Sequence, residues 1–274
     1  MFHPTKMTVI AVALATATAT AAHAAVLGTV DATYDNNSPT GTALIDFHFG
    51  QTIYHDVHVF TGRSNLTITW VSSELDNEGP FTAGNEFQAF CVDFQQEISK
   101  STHGTWELVQ LSEVPYPSTQ NGYPNGMGEE RAGWLQRLFE QHYGSIDNPD
   151  PDSETQRKIN ATAFQIAAWD LIYDAVDNDV KTGNQFRVND VTSGHESDVY
   201  TLANAWVADA KANGQQGGSV YALRSETTQD FALILDDFEV NDPNPVPLPA
   251  AAWMGVILLG SLATGGGIRR LRWK

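Results

Sequence analysis

The spacing of apolar residues changes once along the chain, and this change limits the folds that the chain can adopt. Before residue 112, short segments alternate apolar and polar side chains, which is the period of a half-buried β-strand. In residues 43–49, for example, Ala43, Ile45 and Phe47 would share one face. The predicted strands are residues 43–49, 53–60, 66–71, 87–94 and 106–111, with turns at residues 62–65 and 76–80.

Beyond residue 128 the spacing becomes helical. Residues 129–143 would place Trp134, Leu135 and Leu138 on one side of a helix. Helices are also predicted at residues 154 to about 176, after a capping-box pattern, and at 196–212, and strands return at 219–224 and 231–235. The pattern predicts an α+β fold, with a β-sandwich or barrel-like sheet and an inserted helical portion.

The N-terminal residues favour export. Lys6 precedes a run of small and apolar residues without an acid, and Ala22-His23-Ala24 has the small-x-small form of a signal-peptidase site. We therefore predict a signal peptide at residues 1–24, an extracellular domain at 25–235, and a Pro/Asp-rich tether at 236–249. Residues 250–274 complete the chain as a transmembrane helix with a basic tail.

The C-terminal tail has three consecutive parts. An apolar stretch at residues 250–268 would reach about 28 Å as a helix, enough to cross a hydrocarbon core. The cations of residues 269–274 would stay in the cytoplasm by the positive-inside rule. A short motif precedes this stretch and ends on its first residue. It consists of Val246, Pro247, Leu248, Pro249 and Ala250.

Together these parts resemble the PEP-CTERM sorting signals, in particular the VPLPA-CTERM variant of Gram-negative bacteria. The resemblance implies transient membrane anchoring, recognition by an exosortase-type sorting enzyme, and delivery to the cell surface or extracellular matrix. An ordinary single-pass anchor is the alternative that hydropathy alone allows.

The chain is strongly acidic. Its formal net charge is −18, from 33 acidic and 15 basic residues, and every acid lies between residues 25 and 245. Such a surface repels nucleic acid and anionic lipid at long range. The charge therefore excludes nucleic acid as an expected partner.

One cysteine stands alone in this exported chain. Secreted proteins usually pair their cysteines, so an odd one indicates a reactive thiol or an intermolecular bond. Cys91 lies in a predicted strand, and Gln165 projects from an otherwise apolar helical seam. A carboxamide buried without partners costs about 1 to 3 kcal/mol. A thiolate that attacked this amide would form a thioester and release ammonia. This reaction would explain why a lone cysteine and a carboxamide in an apolar seam occur in the same chain.

The segments around these two residues resemble the Cys-Gln thioester domains of bacterial surface adhesins, also called TQXA domains. Their motifs match Phe90-Cys91-Val92-Asp93 and Gln165-Ile166-Ala167-Ala168-Trp169. The resemblance implies that Phe90, Asp93, Phe164 and Trp169 surround a Cys91–Gln165 thioester. It also implies covalent adhesion to a protein amine or a polysaccharide hydroxyl, without turnover, so that the protein is not an enzyme and needs no cofactor.

Several alternatives stay open at the level of sequence. Cys91 could be a small buried hydrophobe in a non-covalent structural protein of the extracellular matrix. A cysteine hydrolase would need a histidine such as His103, but the residues around Cys91 match no nucleophile motif. A metal site at His48, His55 and His58 is disfavoured, because the last two would point to opposite faces of a strand. The acidic loops at 147–152 and 177–179 lack the glycine and terminal glutamate of an EF-hand, so no metal is predicted, and a weak extracellular calcium site stays the alternative there.

Overall fold

A computed structural model describes the domain between its two terminal segments. The described residues are 26–49, 52–73, 75, 81–93, 96, 98–115, 126–146, 154–174, 179–183, 185–192, 195–212 and 219–235. The predicted signal peptide, tether, sorting motif and C-terminal helix lie outside them, as does the turn predicted at 76–80. Within the described part, no helix has both the length and the apolar character needed to cross a membrane.

The described residues form a β-rich α+β fold, as the spacing predicts. The strands are β1 (Gly28–Phe49), β2 (Thr52–Val71), β3 (Glu86–Cys91), β4 (His103–Gln110), β5 (Phe186–Val191), β6 (Val220–Arg224) and β7 (Phe231–Ile234). The α-helices are α1 (Gly128–His142), α2 (Glu154–Tyr173) and α3 (Glu196–Ala212). Short 3₁₀ turns follow β4 at Leu111–Glu113 and α1 at Tyr143–Ser145.

All the strands belong to one antiparallel sheet, in the order β2-β3-β7-β6-β4-β1-β5. β1 also pairs with β2, from Val30 opposite Val71 to Phe49 opposite Thr52. The pairings therefore run in a closed circuit through β1, β2, β3, β7, β6 and β4. β5 pairs with the second half of β1 outside this circuit. The two strands nearest the C-terminus thus stand between β3 and β4.

The core of the sheet comes from the alternating positions of its strands. Val30 and Ala32 of β1 are fully buried, while their neighbours Thr29 and Asp31 are partly exposed. Trp106 of β4 packs against Phe231 of β7, with 6.1 Å between the ring centroids. Gly104 leaves room for that indole, because a Cβ there would collide with the Trp106 ring. This packing fixes β4 and β7 on either side of β6.

Two strands are longer than their local patterns predict. β1 begins at Gly28 rather than residue 43, and β2 runs through the turn predicted at 62–65. Gly62 has a φ of +128°, which lets the backbone absorb an irregularity there without ending the strand. The next residue, Arg63, pairs with Phe90 of β3. The turn prediction was wrong because β2 stays paired with β1 on both sides of Gly62 and gains β3 as a second partner from Arg63 onward.

The helices follow the prediction closely, with one addition among the strands. α3 has the predicted bounds, α1 is shifted by one residue, and α2 ends at Tyr173 instead of about residue 176. β5 was not predicted, although its residues alternate. α2 is buried from Ile159 to Tyr173, because it packs between the β1–β2 part of the sheet and the other two helices. It is therefore the central helix of the domain and not a surface helix.

Candidate functional site

Cys91 is the last residue of β3. It pairs with Phe231 of β7, and its free thiol is almost fully buried. The thiol donates a hydrogen bond to the backbone oxygen of Asp93, with 3.2 Å between sulfur and oxygen. The cysteine therefore sits where the ladder ends and the chain turns away from the sheet.

Gln165 approaches Cys91 from α2. Its Nε2 donates to the backbone oxygen of Cys91 at 2.6 Å, and the whole residue is buried. Its Oε1 accepts no hydrogen bond from the described part of the chain. A buried amide oxygen without a donor is costly, so this carboxamide is only half satisfied. The structure thus brings the two predicted residues into one contact, with the amide next to the cysteine.

Three residues of α2, spaced four apart, reach the Cys91 segment. Side chains four residues apart lie on one face of a helix. Gln165 binds the Cys91 carbonyl, the Trp169 indole lies close enough to stabilise the thiolate form of Cys91, and the Tyr173 hydroxyl donates to the Val92 oxygen at 3.1 Å. One helical face therefore covers the end of β3.

Aromatic packing next to both residues fixes this register. Phe90 and Phe164 each precede one of the two, and their ring centroids are 4.5 Å apart. Phe139 of α1 packs edge-on against both rings, at 6.0 Å from Phe90 and 4.9 Å from Phe164. Because Phe90 and Phe164 are fully buried, β3 cannot slide along α2 without disrupting this cluster.

The electrostatics keep the thiol protonated. Burial raises the pKa of Cys91 well above its ordinary value, and the negative charges of Asp93 and Asp230 raise it further. Contacts with the Asp93 backbone and the Trp169 side chain oppose this shift. Burial, and to a lesser extent charge at Cys91, also raises the pKa of Tyr34. Cys91 is therefore held as a neutral thiol in a nearly closed site.

The turn between β6 and β7 holds the residues after Cys91. The Val92 amide donates to the Asp230 oxygen at 3.0 Å, and Gln229 Nε2 donates to the Asp93 oxygen at 3.1 Å. The turn is itself fixed, since the Ser225 amide donates to Asp230 Oδ1 at 2.6 Å and Trp106 Nε1 donates to the Gln229 oxygen at 2.9 Å. The β6–β7 turn, from near the C-terminal end of the domain, thus covers the residues that follow Cys91.

A cavity of about 360 Å³ lies on the outer side of β3. Its lining includes Glu86 and Gln88 of β3 together with Tyr143. Neither Cys91 nor Gln165 lines it. A molecule in this cavity would therefore not reach the thiol or the amide directly.

The other predicted candidates lie apart from Cys91. His103 contacts Thr69 Oγ1 at 3.1 Å, and His55 contacts Asp46 Oδ2 at 2.9 Å. No group of three or more His, Cys, Asp or Glu side chains that could hold a metal ion occurs among the described residues. The acidic loop at 147–152 and the sorting motif at Val246–Ala250 lie outside those residues. Asp179 uses Oδ1 to accept from the Lys181 amide at 3.1 Å.

Sequence reasoning missed three residues that contact the Cys91 segment. Tyr173 had a usable signal, because it continues the spacing of four from Gln165 through Trp169. Gln229 and Asp230 had none, since a turn far along the chain carries no local sign of what it will touch. Their contact with the Cys91 segment follows from the order of the strands in the sheet, which places β7 beside β3.

Comparison of the chain with models of known protein families, with curated proteins and with solved structures gives no match. The class of protein is therefore described by fold and site alone. It is a β-rich α+β domain in which a cysteine at a strand end meets a helix carboxamide in a buried contact.

Proposed function

We propose that this is an exported surface or matrix protein whose Cys91 and Gln165 form an internal thioester for covalent adhesion. The observation that carries the proposal is the 2.6 Å hydrogen bond from Gln165 Nε2 to the Cys91 oxygen, made by a fully buried carboxamide whose Oε1 accepts no bond from the described residues. Condensation removes the amide nitrogen from this site. It also converts a half-satisfied polar group into a stored acyl group.

Formation is an acyl transfer within the chain. Cys91 Sγ attacks Cδ of Gln165, the new C–S bond replaces the C–N bond, and the nitrogen leaves as ammonia with the thiol proton. Capture reverses the roles, because an amine or hydroxyl of a partner attacks Cδ and breaks the C–S bond. The proton of the nucleophile then restores the Cys91 thiol. Each molecule reacts once, so the protein is not an enzyme.

The surroundings suit storage of an acyl group. Trp169, Phe90 and Phe164 are almost fully buried beside the two residues and exclude water, which would otherwise hydrolyse the bond. None of the described residues donates a hydrogen bond to Gln165 Oε1, so nothing there stabilises an oxyanion on that atom. Hydrolysis should therefore be slow until a partner nucleophile arrives.

The wider architecture and the terminal segments fit the same proposal. The closed circuit of strand pairings supports a barrel-like sheet with a helical insertion, which is the finer form of the predicted fold. The leader and the VPLPA-type tail support export, action of an exosortase-type enzyme and display at the surface or in the matrix of a Gram-negative bacterium. The partners would be protein amines or polysaccharide hydroxyls, and not nucleic acid.

Intact-mass analysis of the freshly purified ectodomain tests the proposal. We expect a mass about 17 Da below the sequence mass, the loss of one ammonia, and a Cys91 that resists thiol reagents. Methylamine should add its own mass at Gln165 and expose the thiol. Cys91→Ala and Gln165→Ala should each abolish the deficit, whereas Gln156→Ala, on the same helix but bonded to Asn160, should keep it.

A full sequence mass with a thiol that titrates in fresh protein would contradict the thioester. That result would favour a second candidate, a non-covalent structural protein of the extracellular matrix. The raised pKa of the buried Cys91 thiol and its bond to the Asp93 oxygen favour this candidate, because they are also what an inert core cysteine would show.

A further inference from the structure

We propose that the β6–β7 turn, residues 225–230, is a latch over the Cys91 segment, and that Gln229 is the positioning residue that keeps it closed. The inference rests on the proposed function, since it concerns how a nucleophile reaches the same site. The turn is distant in sequence from both reacting residues, and its opening would set the rate of acyl capture.

The latch acts on a backbone segment with four restraints. From the Cys91 carbonyl to the Asp93 carbonyl, the restraints are Gln165 on the Cys91 oxygen, Asp230 on the Val92 amide, Tyr173 on the Val92 oxygen and Gln229 on the Asp93 oxygen. Two of them come from the central helix α2 and two from the turn. The segment is therefore clamped between a buried helix and a surface turn.

The turn is the side that can open. Gln165 and Tyr173 belong to the stretch of α2 that is buried throughout, so releasing them would disrupt the core. Thr227 in the turn is exposed, and Gln229 is only partly buried. Of the four restraints, the bond from the Gln229 side chain is therefore the one that a local movement can break.

Breaking this bond changes the environment of the thiol. The Asp93 oxygen that accepts from Gln229 also accepts from Cys91 Sγ. When Gln229 leaves, the Asp93 carbonyl loses this hydrogen bond, and the peptide beside the sulfur can move, whether the sulfur is a thiol or part of the thioester. Opening of the turn thus exposes the bond between Cys91 Sγ and Gln165 Cδ, and a nucleophile can then approach Cδ from the Cys91 side.

The test compares Gln229→Met with wild type and with the control Thr227→Ala. Methionine keeps the length of glutamine but cannot donate, and Thr227 takes part in the turn through its backbone amide. In the species that carries the mass deficit, we expect methylamine to open the thioester about three- to tenfold faster in Gln229→Met, the factor for one hydrogen bond made only when closed. Thr227→Ala should match wild type.

A failure of the thioester itself would be recognised separately. If wild type shows its full sequence mass, the same variants are compared for the rate at which Cys91 reacts with a thiol reagent. The same ordering supports the latch without a thioester. Equal rates in wild type and Gln229→Met, or equal acceleration in Thr227→Ala, overturn it under either readout.

Hydrogen exchange of the unaltered protein gives a second measurement if Gln229→Met does not fold. Peptides that contain Val92 and Ser225 should exchange together, and faster than a peptide around Gln165, because both amides are bonded to Asp230. A turn that exchanges as slowly as the middle of α2 would contradict a latch.

Discussion

At the scale of single residues, the chemistry of Cys91 is set by what surrounds it. A thiol needs its thiolate form to act as a nucleophile, yet burial and two nearby carboxylates raise the pKa of Cys91. The site therefore holds a poor nucleophile close to a poor electrophile. The thioester that we propose would therefore depend on proximity, which replaces the entropy cost of an encounter in solution.

Removing one of the carboxylates should make the thiol more acidic. We expect Asp93→Asn, in a Gln165→Ala background that cannot form a thioester, to lower the pH at which alkylation of Cys91 reaches half its maximal rate. The reason is that the neutral amide no longer repels the thiolate, so the pKa of Cys91 falls.

The pH profile of alkylation, followed by mass spectrometry, measures this shift. Asp198→Asn on the exposed side of α3 is the control and should leave the profile unchanged. An unaltered midpoint in Asp93→Asn would show that the charge of Asp93 does not contribute to the raised pKa of Cys91.

At the scale of elements, one buried carboxylate reinforces the backbone pairing that attaches β5 to β1. Asp46 of β1 accepts from Arg187 and Asn189 of β5 at 2.6 Å each, and from the Asp56 amide of β2 at 2.9 Å. Burial alone would raise the pKa of Asp46, but these bonds and the one from His55 hold it well below its ordinary value. A polar residue on the outer face of β1 therefore joins three strands.

Neutralising this junction should destabilise the domain. We expect Asp46→Ala to lower the free energy of unfolding by about 2 kcal/mol, since a buried carboxylate that accepts from several partly exposed donors is lost. Because the folded-state pKa of Asp46 is depressed, its contribution is present above the ordinary carboxyl pKa and is lost as the pH falls below it toward the folded value.

Denaturant unfolding at neutral and acidic pH measures both effects. Glu154→Gln, which removes an exposed i,i+4 pair with Lys158, is the control and should leave the stability unchanged at both pH values. If the free energies of unfolding of Asp46→Ala and wild type differ by the same amount at pH 7 and at pH 3, the ionised form of Asp46 is not what stabilises the junction.

At the scale of the whole molecule, the domain closes only when its last strands are in place. β6 and β7 stand between β3 and β4, and their connecting turn covers the Cys91 segment. The surroundings of Cys91 therefore depend on β3, on α2 and on the turn between β6 and β7. A chain with this arrangement would complete the surroundings of Cys91 late in folding, after the C-terminal strands have joined the sheet.

Processing is the prediction that belongs to the full chain. The surface form should begin at Ala25 and lack the basic residues 269–274, because the leader and the tail would be removed by a signal peptidase and by a sorting enzyme. Terminal peptide analysis of the surface fraction measures both ends. Recovery of the intact basic end from that fraction would contradict sorting, and a strain without the sorting enzyme, in which the tail should persist, is the control.

The sequence alone determined most of the elements and the two residues of interest, Cys91 and Gln165. Alternation and helical spacing are local, so α3, most of α1 and the β-rich α+β class could be predicted within short windows. Cys91 and Gln165 stood out because each is an unusual residue for its position. The sequence could not establish that β2 continues past Gly62, since the polar residues 62–65 look like a turn locally and are held in the strand by pairing with β1 and β3.

Tertiary structure decided which of these residues meet. Gln165 lies 74 residues after Cys91, and Gln229 lies 136 residues after Asp93, so neither contact leaves a trace in local spacing. Periodicity tells which face of an element is buried, but the element that covers that face depends on the order of the strands and the packing of α2. The physical reason is that burial is a property of each segment, whereas pairing is a property of the whole chain.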